Sequence, residues 1–169
     1  MNKNEEQVFS IFDIRLGKIV EANPHPNINN LIVLRVDFEN EQRQIVTAIY
    51  DSYTIEEIIG KNIVVLLNIV PHEIRGILNQ GLCLSVSIAN GEYIIFLTSN
   101  NKPGTKIEVG IQILQPSLFV TNEEINVLES NIYCKDGKVF IGKFPIDNVE
   151  TDGTKYTGPI FNQKSVIII

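Results

Sequence analysis

The sequence predicts a mainly β protein: a closed barrel of five strands with one short helix, followed by a small docked α+β extension. Three observations carry this expectation. Short runs between Phe9 and Leu97 alternate apolar and polar residues, the period of half-buried strands. In the first run the alternation slips after Gly17, as it would if a β-bulge there bent the strand. Asn90-Gly91 stands between two apolar runs and is a strong signal for a tight hairpin.

Phe9–Ile19 reads as the first strand, with Ile14 and Leu16 facing one way and Asp13 and Arg15 the other. Ile19 is apolar where strict alternation would want Lys18, and a bulge at Gly17 absorbs that slip. Asn23–Asn30, rich in Pro and Asn, is a loop. Leu31–Phe38 is the second strand, with Ile32, Leu34, Val36 and Phe38 inward and Arg35 and Asp37 outward. Asn40-Glu41-Gln42 turns the chain into a third strand, Gln44–Ile49. Thr54 and Glu57 have capping-box spacing, which predicts a helix over Thr54–Ile59 ending at Gly60. Asn62–Leu67 is a continuous apolar strand, and Leu82–Ile88 with Tyr93–Leu97 forms the hairpin around Asn90-Gly91.

This order is that of an OB-type barrel, which hides its sheet edges by closure. The expected organisation is a flexible segment 1–8, a barrel over 9–109 and an extension over 110–169. In the extension, Asn122–Leu128 reads as a helix, and Asn131–Tyr133 and Lys138–Ile141 as strands around Lys135-Asp136-Gly137. Its last residues, Val166–Ile169, are apolar and uncharged, so the extension should pack on the barrel.

With 169 residues, 44% hydrophobic and 20% charged, the chain can bury one good core and is no disordered polyelectrolyte. Its formal net charge is −6, with 9 Lys+Arg against 13 Asp+Glu before residue 111 and 5 against 7 after it. An acidic balance spread in this way argues against strong non-specific nucleic-acid binding and leaves room for a local basic patch. Cys83 sits in an apolar run far from Cys134, so free thiols and a reducing cytoplasm are expected, not a disulfide framework. The polar N-terminus lacks a signal-peptide core, and no apolar run approaches membrane-spanning length.

Two motifs remain. Asp13-Ile14-Arg15-Leu16-Gly17-Lys18-Ile19-Val20 leads into Pro24-His25-Pro26, and Asn68-Ile69-Val70-Pro71-His72-Glu73-Ile74-Arg75-Gly76-Ile77-Leu78-Asn79-Gln80-Gly81 follows the apolar strand. Both set a few cations and amides among glycines and β-branched residues, the mix expected where a strand surface holds a nucleic-acid backbone. His25 and His72 lack companions at metal-ligand spacing. No nucleophile, cofactor loop or glycine-rich phosphate cradle accompanies the carboxylates of Asp13 and Glu73. The expectation is a protein that is not an enzyme and uses no cofactor or metal.

The ordered set of motifs resembles the tRNA-binding domain appended to methionyl- and tyrosyl-tRNA synthetases and found in their free-standing relatives. The continuation beyond residue 110 is most similar to the endothelial monocyte-activating polypeptide II branch, in which the extension imitates the dimer partner of bacterial relatives. The resemblance implies largely sequence-independent binding to the outside of the tRNA fold, in the service of a synthetase catalytic domain or complex. It also implies a monomer and no membrane partner. The positions matching the family's RNA-binding face are Arg15, Lys18, Arg75, Asn79 and Gln80, to which Arg35 on the outer face of the second strand is added. Gly17, Asn68, Pro71, Gly76 and Gly81 match its backbone-shaping positions, with Gly76 read as allowing close backbone approach.

Plainer readings stand beside these. Arg15 and Lys18 could be solvated strand residues, and Asn79 and Gln80 could satisfy buried backbone groups. Lys143, Lys155 and Lys164 read as a solvated surface. The chain also departs from the family: Ile28-Asn29-Asn30 and the stretch from Val70 to Gly76 lack lysines the family usually carries. Each lost phosphate contact weakens binding and flattens its salt dependence. The alternative function is therefore a protein-interaction or synthetase-scaffold module, or a cytokine-like chemoattractant acting through Arg15 to Glu21.

Overall fold

The computed structural model describes residues 9–49, 52–87, 93–110 and 115–153. The expected N-terminal segment, the Asn90-Gly91 turn, Lys155, Lys164 and the Val166–Ile169 end lie outside those residues.

Phe9 and Ser10 are helical, and the first strand, β1, begins later than expected, at Ile14–Pro24. It pairs antiparallel with β2 (Ile32–Asp37), which pairs with β3 (Gln42–Thr47). The inward residues of β2 are the expected ones: Ile32, Leu34 and Val36 are buried, as is Phe38 just beyond. The register shift in β1 falls between Ile19 and Glu21, not at Gly17. Gly17 serves packing instead, because a Cβ there would lie 2.4 Å from Val36 Cγ1 and 2.6 Å from Phe38 Cε1.

Helix α1 (Ile55–Ile58) starts with the expected capping box, Glu57 N–H to Thr54 Oγ1 at 3.1 Å and Thr54 N–H to Glu57 Oε2 at 2.8 Å. Gly60, at φ 88°, turns the chain out of it, and its N–H donates to Ile19 O at 2.8 Å. β4 (Asn62–Leu66) then runs beside β1. A hairpin that the alternation did not reveal follows, β5 (His72–Ile74) and β6 (Ile77–Asn79), joined by Arg75 and Gly76 at φ 50° and 88°. Two positive φ values at the tip make the primed type of turn that suits strand twist. Gly76 is thus required by its φ; a Cβ there would meet nothing within 4 Å, so close approach is not its role.

β7 (Leu82–Cys83) pairs β4, and β8 (Ser85–Ser87) pairs β9 (Tyr93–Thr98). Beyond residue 110, helix α2 (Asn122–Asn131) is capped by Thr121 and Glu124 as α1 is by Thr54 and Glu57. β10 (Ile132–Lys135) and β11 (Lys138–Ile141) form the expected hairpin, turning at Asp136 and Gly137 with φ 53° and 78°. β12 (Phe144–Thr151) was not anticipated.

The expected closed five-stranded barrel with a separate docked extension is corrected here. The strands form one open ten-stranded sheet along the path β10-β11-β12-β9-β4-β1-β2-β3, with β7 on β4 and β8 on β9; β5 and β6 make a second sheet. Two local causes keep it open. At one end β12 pairs β9, so the extension continues the sheet. At the other, β3 meets one backbone bond, Gln80 N–H to Gln44 O at 2.9 Å, and two side-chain amides: Val46 N–H donates to Asn79 Oδ1 at 2.9 Å and Gln44 N–H to Gln80 Oε1 at 3.0 Å.

The sheet is buried on both faces along β4. Ile63, Val65 and Leu67 join a core with Ile19, Ile32, Leu34, Val36, Ile45 and Ile58. Val64 and Leu66 face the other way, into a core shared by Phe12 and Ile14 with Val120, Leu128, Ile132 and Ile146 of the extension. That explains the unbroken apolar run Ile63–Leu67, since a strand covered on both faces has no polar side.

Candidate nucleic-acid interface

The two motifs are physically joined, and the joint is His25. Its ring is buried; Nδ1 accepts the N–H groups of Asn27 at 3.0 Å and Ile28 at 3.1 Å. Nδ1 therefore carries no proton, and Nε2–H donates to Ile74 O at 2.8 Å. Asn27 Nδ2 adds a bond to Arg75 O at 3.2 Å. The loop after the first motif thus clasps the tip of the β5–β6 hairpin in the second and presents Arg75 to solvent.

The remaining arginines are engaged. Arg15 Nε lies 2.8 Å from Asp13 Oδ1, Arg35 Nε 3.0 Å from Glu21 Oε2, and Arg43 Nε 2.9 Å from Glu41 Oε1. Lys18 is exposed on β1 and stands opposite Asp37 in register. Arg75 makes no ion pair among the described residues. An arginine paired with a carboxylate must give up that partner, or share it, before it can hold a phosphate.

The amides lie elsewhere than the cations. Asn79 is fully buried, with Oδ1 on Val46 N–H; Gln80 is partly buried, its backbone N–H on Gln44 O at 2.9 Å. Asn68 is buried at the junction of three segments. Its Nδ2 donates to Ile11 O and Ser117 O, each at 2.9 Å, and its Oδ1 accepts Asp13 N–H at 2.9 Å. Pro71 precedes the hairpin and is exposed, whereas a Cβ on Gly81 would come within 3.1 Å of Val65 Cγ1. Arg15, Lys18, Arg35 and Arg75 are thus surface groups, while Asn68, Asn79 and Gly81 are packed into the frame that carries them.

Arg43 was not singled out in advance. Besides its pair with Glu41, its Nη1 donates to Leu67 O at 2.7 Å and Gln80 O at 3.1 Å, which bolts β3 to the chain on either side of the hairpin. The signal available was a lone arginine opening the run Arg43-Gln44-Ile45-Val46 of the third strand. A second internal ion pair, Lys61 Nζ to Asp152 Oδ2 at 3.0 Å, ties the end of β12 to the residue after Gly60. Asp152 also accepts the Tyr53 hydroxyl, which in turn accepts Ile95 N–H at 3.3 Å. Burial pushes the Tyr53 hydroxyl well above its ordinary range, and the Asp152 carboxylate adds to the effect. Among the described residues no group of His, Cys, Asp and Glu could hold a metal, and no helix is long and apolar enough to cross a membrane.

Comparison with known proteins agrees with this picture. Residues 14–106 match the family described as "Putative tRNA binding domain". The methionine–tRNA ligase of Thermococcus kodakarensis is 35% identical over 105 residues, covering 62% of this chain and 13% of that protein. That of Flavobacterium psychrophilum is 43% identical over 84 residues, covering 50% and 12%. The chain thus matches only a small part of these ligases. Among solved structures, the C-terminal domain of Plasmodium vivax p43 shares the fold at a TM-score of 0.74 and 17% identity, over 85% of this chain and 98% of that one. A MetRS-related protein from Pyrococcus horikoshii, 29% identical, matches 63% of this chain and 96% of its own at a TM-score of 0.56. A family match over more than half of the residues, on the segment that holds both motifs, identifies the chain as a member of the tRNA-binding domain family.

Proposed function

We propose that this protein is a non-catalytic module that binds tRNA and raises its affinity for a catalytic partner, an aminoacyl-tRNA synthetase or a synthetase complex. The observation that carries the reading is the hairpin tip. Arg75 is exposed and without an acidic partner among the described residues, on a turn that His25 and Asn27 hold in place. A cation that needs no release from a carboxylate, on a turn whose backbone is already held, can take a phosphate without first breaking an ion pair. Arg15, Lys18 and Arg35 contribute less, because Asp13, Asp37 and Glu21 stand beside them. Asn79 and Gln80 act by holding β3.

The similarity to methionine–tRNA ligases supports a synthetase as the partner class; the chain matches only 12–13% of their length. The face of β1 and β4 that carries Ile14, Val64 and Leu66 is covered by the extension, which supports a monomer. Two buried free cysteines support residence in a reducing cytoplasm.

Retardation of a tRNA transcript as a function of salt tests the reading. Complexes are expected at low ionic strength and should weaken as salt rises. Arg75→Ala should lower the slope of log K against log salt by about one unit, more than Arg15→Ala does. Absence of binding at low salt would overturn it.

A further inference from the structure

Beside the clasp lies a hollow of about 300 Å³ lined by Pro24, His25, Ile28, Asn29, Asn30 and Leu31. We propose that it receives one unpaired nucleobase of the bound RNA, laid against Pro24, Ile28 and Leu31 and read by the amides of Asn29 and Asn30. This deepens the tRNA-binding reading and rests on it.

The chemistry of the walls selects the ligand. Pro24, Ile28 and Leu31 are apolar, and both His25 nitrogens are engaged in the plane of the ring by Asn27, Ile28 and Ile74. The imidazole can therefore meet a ligand only through its carbon atoms, by stacking or van der Waals contact. Asn29 and Asn30 are exposed, and their side chains bond to no described residue. Each offers a donor and an acceptor. No lining residue is charged, which disfavours a phosphate or a cation. A flat, neutral ring with donors and acceptors on its edge suits an uncharged lining of mixed apolar and amide groups, and single-stranded bases are recognised by a combination of stacking and edge contacts.

The setting is as specific as the lining. Asn30 holds φ 71°, a left-handed conformation that turns the loop back towards Leu31, and His25 N–H donates to Leu31 O at 2.9 Å across the mouth of that loop. The same loop bonds the hairpin tip, Asn27 Nδ2 to the backbone carbonyl of Arg75, which ties the loop that forms the hollow to the turn that carries Arg75. A phosphate at Arg75 and a base in the hollow would together mark a strand whose base has left its stack.

The test compares the full chain, Asn29→Ala/Asn30→Gly and Arg75→Ala on two RNAs: a tRNA transcript and a fully paired duplex of equal length. Glycine keeps the left-handed turn at position 30 available. The double variant should bind tRNA about tenfold more weakly with an unchanged salt slope, and should bind the duplex as the parent does. Arg75→Ala should lower the slope on both. Ring protons of His25 should also shift in NMR spectra on addition of single-stranded oligoadenylate and not on addition of the duplex. If the double variant binds tRNA as tightly as the parent while Arg75→Ala binds more weakly, the base site is overturned and the tRNA-binding reading stands. If the parent binds neither RNA at low salt, both fall.

Discussion

The side-chain carbonyl of Asn79 accepts the backbone N–H of Val46 at 2.9 Å, and Asn79 is fully buried. A strand neighbour would ordinarily supply that acceptor. With Gln80 treating Gln44 in the same way, β3 is satisfied without a further ladder, which is why the sheet can end there.

Asn79→Ala should act on stability. The Val46 N–H is left buried without its acceptor, at a cost of about 1–3 kcal/mol. Urea denaturation should show the loss as a lower midpoint. A variant as stable as the parent but weakened in tRNA binding would place Asn79 at the RNA instead.

His25→Phe should loosen the clasp while keeping a ring in place. The N–H groups of Asn27 and Ile28 lose their acceptor and Ile74 O its donor. Amide hydrogen exchange at Asn27 and Ile28 should quicken, and tRNA affinity should fall towards that of Arg75→Ala. Unchanged exchange at both amides would show that the ring nitrogens do not hold the loop.

Acids beside the arginines should restrain binding. Glu21→Gln removes the partner of Arg35, and Asp13→Asn weakens that of Arg15. Both pairs are solvent-accessible, so stability should change little. If these arginines reach phosphate, tRNA affinity should rise several-fold at low salt and the salt slope should steepen, as gel retardation would show. A flat response would leave Arg75 as the principal contact.

Lys61→Met should be among the more costly surface-distant changes, because it leaves the buried carboxylate of Asp152 without its cation. The loss should be about 2–3 kcal/mol by chemical denaturation. Asp152→Asn in the same background should recover part of it, since the neutral amide needs no cation. Simple addition of the two losses would argue that the residues are not coupled.

Alkali should destabilise the fold. Burial pushes the thiols of Cys83 and Cys134 up to about 12, from an ordinary value of 9.0. The fold thus favours the neutral thiol while the unfolded chain ionises more readily. Their contribution to stability is whole below about pH 9 and is lost as pH rises towards 12. Denaturation midpoints should fall across that window, and a thiol reagent at pH 8 should label both cysteines only after unfolding. Prompt labelling of the native protein would contradict their burial.

The sequence by itself determined what depends on neighbours in the chain. The capping box at Thr54, the inward face of β2, the turn at Asp136-Gly137 and the buried Cys83 follow from local preference and alternation, and all were readable. The family was readable too, because motifs of fixed spacing survive in the string. Tertiary structure alone decided the rest. The Arg75-Gly76 hairpin hid behind an arginine at φ 50°, which no turn preference advertises. Gly17 owes its place to Val36 and Phe38, side chains some twenty residues away in sequence. Whether the sheet closes depends on Asn79 and Gln80 bonding β3 and on β12 pairing β9, contacts between distant segments that leave no period behind. Which arginines stand free of an acid was equally hidden, since composition counts cations whereas geometry decides which already hold a carboxylate.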